Sequence, residues 1–369
     1  MQDYQLGGIV SQFGIKPENA TIVPLGNGLI NTTYKVTTSD QEPAYVLQRI
    51  NHNVFPDVDM LMNNVVAVTT HLHSKLAAQG YSDEEIRRRC LHFLPLADGS
   101  GKYYYKSGED YWRIMEYIAG TVTLDEVNPQ SANDTGKAFG NFEAMLADIS
   151  TPMGETIKDF HNMEFRMQQL REAVEADAAH RADSVKALIL NIESYANEMT
   201  MAERLYREHK LPKRICHCDT KVNNMLFDAT TGEVLCVIDL DTVMPSFVFS
   251  DFGDFLRSAA NTAAEDEPDL SRVEFNIDIF KAFTQGYLET ARAFLTDVEI
   301  ENLPYAARLF PFMQAVRFLT DYINGDTYYR IQYPEHNLVR TKAQYKLFES
   351  ATAQESQMQL IVKQLSAKD

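Results

Sequence analysis

RICHCDTKVNNMLFDATTGEVLCVIDLDT, residues 214–242, is the stretch on which the fold reading turns. His217, Cys218 and Asp219 come first, Asn224 follows five residues after that aspartate, and Asp239 closes the apolar run VLCVI. NMLF and EVLCVI are short β-rich runs separated by DATTG, a hairpin signal. An aspartate that orients an attacking hydroxyl, with an amide and a second aspartate as oxygen ligands for Mg²⁺, makes up the set that phosphoryl transfer needs. Taken singly, Asp219 and Asn224 are turn formers and Asp239 ends a strand; the three together point to chemistry. A metal site from Cys216, His217 and Cys218 is disfavoured, because neighbours along a strand point to opposite faces.

Outward from this hairpin the chain changes character twice. Between residues 20 and 120 it reads as strands with one helix: TIVPL, the glycine-containing loop GNGLINT, TYKVTT, PAYVLQRI, then CLHFLPL, KYYYK and YWRIMEYI. The helix is expected over Asp59–Gln79, where Met60, Val65, Val68, Leu72 and Leu76 keep helical spacing. After Gly120, Ala138, Phe139, Phe142, Met145 and Leu146 mark one helical face, and further helical patterns cover about 184–208, 274–295, 298–324 and 340–366. The fold class is therefore α+β in two lobes: a small, mostly antiparallel β lobe with one helix over residues 1–118, and a larger, mainly helical lobe over 119–369.

Composition narrows the function classes. The 369 residues carry 34 basic and 52 acidic side chains, a formal charge of −18. Such a charge repels phosphate backbones and anionic lipid, and no basic patch offsets it, so neither a nucleic acid nor a membrane surface is an expected partner. No run of ~18 apolar residues suggests a membrane span. The start, MQDYQLGGIVSQFGI, lacks the cationic and apolar regions of a signal peptide. The 4 cysteines are too few for a disulfide framework, and Cys216, Cys218 and Cys236, in or beside apolar stretches, read as core thiols of a reducing compartment. A cytoplasmic protein, monomeric or weakly homo-oligomeric, is the expectation.

The spacing H-x-D-x-x-x-x-N, followed 20 residues after Asp219 by the strand-end Asp239, resembles the kinase catalytic loop and metal-binding aspartate, in the variant of the aminoglycoside phosphotransferase and choline kinase superfamily. The resemblance implies a protein-kinase-like fold, ATP and Mg²⁺ as cofactors, Asp219 as catalytic base, and Asn224 and Asp239 as metal ligands. His217 is then structural. Asp251-Phe252-Gly253 spells the protein-kinase magnesium motif, but it lies 32 residues after Asp219 and begins a helical stretch. In the resembled superfamily a later aspartate of this kind braces the catalytic loop through backbone hydrogen bonds, a role that Asp251 fits; the alternative is a simple helix cap.

In the first lobe, Gly26, Asn27, Gly28, Asn31 and Thr32 lie where such a kinase places its nucleotide-covering loop, since glycines let the backbone approach phosphates. The adenine hinge matches Met115-Glu116-Tyr117-Ile118, with Glu116 and Ile118 as the bonding positions. Two departures stand out. The third strand, Tyr45-Val46-Leu47-Gln48-Arg49, has no lysine for the phosphates, which leaves Gln48 or Arg49. The helix that follows has only Asp59 as an acid between Val58 and Leu76.

Longer stretches, GNGLINTTYKV, HCDTKVNN, VIDLDTVMP, FGDFLRSAANTAAEDE and YPEHNLVRTKAQYKL, resemble the N-acetylhexosamine 1-kinases. That resemblance implies phosphoryl transfer from ATP to the anomeric hydroxyl of N-acetylglucosamine or N-acetylgalactosamine, with Asp241, Arg317 and Tyr328 holding the sugar. An anomeric hydroxyl is unusually acidic, because the ring oxygen withdraws charge, so a carboxylate base suffices. Leu29 stands where the relatives carry a polar residue. Two other readings stay open: an aminoglycoside or amino-alcohol phosphotransferase on the same fold, and a catalytically dead nucleotide-binding regulator.

Overall fold

Alternating apolar residues in the first third of the chain assemble an antiparallel sheet whose two faces have different covers. The computed structural model describes residues 5–26, 30–38 and 43–367. It divides into two units: Met1–Thr123 with Asp148–Lys158 and Met225–Met244, and Leu124–Ala147 with Asp159–Asn224 and Pro245–Asp369. Two segments from later in the chain thus return to the first unit, and the hairpin that carries Asp239 is one of them.

The first unit opens with helix α1 (Leu6–Ser11) and strands β1 (Thr21–Pro24), β2 (Thr32–Thr37) and β3 (Tyr45–Ile50). Helices α2 (Val58–Ala78) and α3 (Asp83–Arg89) precede strands β4 (Tyr105–Ser107), β5 (Asp110–Glu116) and β6 (Thr121–Val122). The main sheet has the order β1-β2-β3-β5-β4, antiparallel throughout. Leu47 pairs with Ile114 and Gln48 with Arg113. Since neighbours on a strand face opposite ways, Val36, Leu47, Trp112 and Ile114 point to one side, where Ile9, Val10, Phe13 and Ile15 cover them. The other side carries Gln48 and Arg113, and Arg113 Nη1 lies 3.9 Å from Met62 Sδ on α2.

Helix α2 begins where Asp57 accepts a hydrogen bond from the Met60 amide at 2.9 Å, and it buries Leu61, Met62, Val65, Val68 and Leu72. Each such side chain contributes about 1.5–3 kcal/mol by leaving water. Helix α3 starts with a reciprocal cap between Ser82 and Glu85, a signal legible in Ser-Asp-Glu-Glu. The expected hairpin pairs Met225–Asp228 with Val234–Val237, and β6 adds to its edge. At its turn Asp228 accepts from the Thr230 and Thr231 amides, which lowers its pKa to about 2, with Arg88 assisting.

The second unit is helical. Helix α4 (Pro129–Leu146) starts at an Asn128 cap with proline at its first turn, and α5 (Met163–Ala176) follows. The pattern over 184–208 becomes α6 (Lys186–Met199) and α7 (Met201–Arg207), broken at Thr200. Next come α8 (Phe249–Ala259) and α9 (Ile277–Ala291). The pattern over 298–324 splits into α10 (Asp297–Glu301) and α11 (Leu303–Ile323), with Pro304 in the first turn of α11 and Pro311 in its interior. Helices α12 (His336–Ala353) and α13 (Glu355–Ser366) close the chain. Among the described residues no helix is long and apolar enough to cross a membrane, and all four cysteines are buried and unbridged.

Helices α4 and α9 cross with their backbones in contact. A Cβ on Gly286 would stand 2.0 Å from the Asn133 carbonyl oxygen, and one on Gly136 would stand 2.4 Å from that of Phe283. Gly286→Ala should therefore lower stability by about 1–3 kcal/mol, the cost of overpacking, even though alanine favours a helix. Gly8→Ala in α1, with open space around its Cβ, should cost nothing. Urea unfolding of the two variants tests this, and an unchanged midpoint for Gly286→Ala would refute the contact.

Candidate active site

The loop that carries Asp219 is held by one buried carboxylate. It follows the strand Arg214–Cys216, and Cys218 adopts the left-handed conformation at φ 62°, a strained state for a residue with a side chain. Asp251, at the start of α8, accepts from the His217 and Cys218 amides at 2.7 Å each. Thr220 ties the loop to the same helix, its hydroxyl donating to the Asp251 carbonyl at 2.7 Å and its amide to Asp254 at 3.2 Å. The His217 ring accepts from the Asp219 amide through Nδ1 at 3.2 Å and stands edge-on to Phe139 and Phe142 of α4. It thus orients the aspartate from behind.

Asp219 is held at both oxygens. Lys221 Nζ pairs with Oδ1 at 2.7 Å, and Asn224 Nδ2 donates to Oδ2 at 3.1 Å and to the Asp219 carbonyl at 2.8 Å. A carboxylate has about four acceptor positions, so each oxygen keeps room for a substrate hydroxyl. Burial opposes the charge of Lys221, but Asp219 and Asp254 hold its pKa above the ordinary lysine value. Lys221 was missed at the level of sequence, although a lysine two places after a candidate base is itself a signal. Both Asn224 amide hydrogen bonds point back at Asp219, which leaves Oδ1 to face a hard cation. That fits the oxygen donor that Mg²⁺ requires.

In the same unit, α11 and the loops beside it build a cluster of donors and rings. Arg317 donates to Gln314 at 3.1 Å and lies over the rings of Phe160 and Tyr329, at 5.3 and 5.6 Å. Gln314 in turn donates to the Tyr329 hydroxyl at 3.3 Å. Arg166 donates to the Phe160 carbonyl and to Gln169, and burial and then Arg317 lower its pKa to about 10. Among the described residues neither guanidinium makes an ion pair. His161 stacks on Phe160 at 4.3 Å, and its Nδ1 is buried without a hydrogen-bond partner. Burial, then Arg317 and Arg166, hold its pKa well below that of a free imidazole, while Asp219 pulls the other way. Tyr328 is 69% exposed, so it is no core residue; Asp321 fixes its loop by accepting from the amides of residues 327–329.

The first unit carries the other half of the expected set. Asp239 stands in the left-handed region at φ 60° and ψ 58°, at the entry to the short helical turn Leu240–Thr242. Asp241 is buried. Its Oδ1 lies 2.6 Å from Arg113 Nη1, and its Oδ2 accepts from Asn31 Nδ2 at 2.7 Å. Asn31 Oδ1 accepts from the Asn51 amide at 3.0 Å. Asn31 is thus a strut between the turn and the β3 end, where the sequence suggested a nucleotide ligand. Asp241, expected to hold the sugar, has both oxygens engaged inside this unit.

Gln48, expected to anchor phosphate, is held within the sheet. Its Oε1 accepts from Arg113 Nε and Nη2, at 3.0 and 2.8 Å, and its Nε2 donates to Thr33 at 3.2 Å. The guanidinium that Gln48 contacts belongs to β5. Arg49 donates to Thr32 at 3.2 Å and pairs with Asp110 at 3.4 Å. Glu116 pairs with Arg87, and its amide donates to the His92 carbonyl at 2.9 Å. The Ile118 carbonyl accepts from Thr121 Oγ1 at 2.9 Å. Gly26 has φ 66° and open space around it, which suits a turn. Asn27, Gly28 and Leu29 lie outside the described residues.

A strained loop that presents a carboxylate, a lysine and an amide, joined by sequence to an antiparallel β unit, defines a phosphoryl-transfer protein of α+β class. Comparison with known proteins gives the family: the APH phosphotransferase enzyme family matches residues 21–293, and the chain belongs to it. Solved structures with the same fold include an aminoglycoside phosphotransferase from Alicyclobacillus acidocaldarius, 13% identical with TM-score 0.61, covering 97% of this chain and 96% of that one. A choline kinase from Cryptosporidium parvum is 13% identical with TM-score 0.55, covering 95% and 94%. A spectinomycin phosphotransferase, solved with ADP and spectinomycin, is 14% identical with TM-score 0.51, covering 91% and 93%. At such identities the likeness is one of fold.

The Arg113–Asp241 pair, with side chains 2% and 4% exposed, is testable by itself. Arg113→Met should cost about 3–5 kcal/mol, because it leaves a buried carboxylate unpaired. Adding Asp241→Asn should recover a substantial part, and a double-mutant cycle by chemical denaturation measures the coupling. Strictly additive losses would show that the two side chains act independently.

Proposed function

We propose that this phosphotransferase transfers a phosphoryl group from ATP to the anomeric hydroxyl of an N-acetylhexosamine, giving the sugar 1-phosphate. The observation that carries the acceptor side is the pair Arg317 and Arg166, two guanidinium groups that make no ion pair among the described residues, beside a neutral His161. Like-charge juxtaposition costs several kcal/mol, so the cluster disfavours a cationic acceptor such as choline or an aminoglycoside. Guanidinium, imidazole, amide and phenol groups suit the hydroxyl and acetamido oxygens of a sugar, with aromatic faces beside them. The sequence likeness in HCDTKVNN, VIDLDTVMP and YPEHNLVRTKAQYKL supports the same reading.

The residues then divide the work. Asp219 accepts a hydrogen bond from the attacking hydroxyl and takes its proton as the new O–P bond forms. Lys221 and Asn224 fix the carboxylate in place. Asn224 and Asp239 would each offer an oxygen to Mg²⁺, whose chemistry would be to neutralise phosphate charge. The Gly26 turn and the hinge segment to Ile118 are the nucleotide side. Arg317 and Tyr328 are the sugar side.

ADP release with Mg²⁺ and ATP, measured against N-acetylglucosamine, N-acetylgalactosamine, glucose, kanamycin and choline, tests the proposal. Turnover is expected on the N-acetylhexosamines, with phosphate at C1. Asp219→Asn should lower kcat by on the order of 10²–10⁴, the range for a positioned general base. Turnover on kanamycin or choline alone would give the protein to the amine-bearing acceptors, and ATP binding without any turnover would favour a regulator.

A further inference from the structure

Beneath the catalytic loop lies a group of acids that the mechanism above does not use. Glu143 of α4 is 2% exposed, and its Oε2 accepts the hydroxyl hydrogen of Tyr287 on α9. Its Oε1 is buried and has no donor facing it. One oxygen of Glu143, one of Asp251 and Cys216 Sγ all lie within 4.8 Å of one another. The Asp251 oxygens each accept a 2.7 Å hydrogen bond from a loop amide, the short geometry of an ionised acceptor. Two buried carboxylates this close do not both ionise.

We propose that Glu143 holds a proton at neutral pH and presents it to Asp251, acting as a positioning residue for the loop that carries Asp219. The proton satisfies the otherwise orphaned Oε1 side of Glu143 and leaves Asp251 anionic, as its two amide donors require. The surroundings agree. Burial and the Asp251 charge push the Glu143 carboxyl well above the ordinary range. Burial raises Asp251 as well, but His217 and the two amides oppose it. Burial also keeps Tyr287 a phenol and Cys216 a thiol. The remaining nearby acid, Glu299 of α10, is matched by Arg214 through two 2.9 Å contacts. The catalytic part of the inference rests on Asp219 being the base, whereas the proton itself can be read without turnover.

The unfolded chain releases this proton near the ordinary glutamate value of about 4.3, while the folded chain retains it. Above that value the folded state binds more protons, so this group makes stability fall as pH rises. Glu143→Gln keeps an acceptor for Tyr287 and a donor for Asp251 without the ionisation. It should therefore show a Tm advantage over wild type that grows between about pH 5 and pH 8. The infrared difference between the two proteins should contain the C=O band of a protonated carboxyl at neutral pH. Kinetically, Glu143→Gln should keep kcat within about twofold, while Glu143→Leu should lose on the order of 10–100-fold in kcat with KM for ATP unchanged, the scale for partners that orient a functional group. A pH-independent Tm difference, a missing band, or a glutamine variant as impaired as the leucine one would overturn the proposal. So would a tightly bound divalent ion in wild type that Glu143→Gln lacks.

Discussion

The Asp251 carboxylate is the contact on which the second unit's chemistry depends. It closes on two consecutive amides, His217 and Cys218, and the second of these stands in a left-handed conformation that costs of order 1–3 kcal/mol when unsupported. That local strain turns the chain so that Asp219 leaves the strand direction and faces Lys221 and Asn224. Without the two hydrogen bonds to Asp251, nothing beneath the loop would offset that strain, and Asp219 would lose its direction. The surrounding helices serve this contact: α8 supplies Asp251 and Asp254, α4 packs Phe139 and Phe142 on the histidine, and the glycine-mediated crossing of α4 with α9 brings Tyr287 to Glu143.

The first unit solves a related problem with a different charge. Asp239 also sits in the left-handed region, and the turn after it is pinned by Asp241 between Arg113 and Asn31. A β3 lysine would be a flexible point charge. Arg113 instead has a planar fork, with Nε and Nη2 on Gln48 and Nη1 on Asp241. The glutamine that replaces lysine therefore aligns its neighbour across the strand pair, in register Gln48↔Arg113. A buried pair of this kind adds little net stability but imposes one geometry, and here the geometry fixed is that of the segment bearing Asp239.

The α+β architecture and the Asp219 loop were legible in the sequence because both rest on local signals: the β-forming residues of YVLQRI and YWRIMEYI, the DATTG turn, and fixed spacing after His217. Helix breaks at Thr200 and Asn302 were not, since periodicity continues across a one-residue interruption. The partners of Gln48, Asn31 and Asp241 were also hidden. Each depends on strand register or on a contact over long sequence distance, as in the 210-residue separation of Asn31 and Asp241. Glu143 and Arg166 carried no motif; only burial without a counter-charge distinguishes them from surface residues of the same type.

Electrostatics links the two scales. The chain carries a formal charge of −18, yet Arg317 and Arg166 make no ion pair among the described residues, at a depth where Arg166 is already pushed down to about 10. Most other arginines are matched: Arg308 with Glu198 and Glu355, Arg257 with Asp254 and Glu265, Arg214 with Glu299. In a protein with acids to spare, an unmatched pair is a maintained cost. Under the proposed acceptor assignment its return would be selectivity, since an amine-bearing acceptor would meet repulsion there. A neutral sugar, the acceptor proposed above, would meet no such repulsion and would gain directional hydrogen bonds from groups that packing has already oriented. Acceptor choice in this phosphotransferase would then be set by the α11 cluster, while the Asp219 loop supplies chemistry common to either class of substrate.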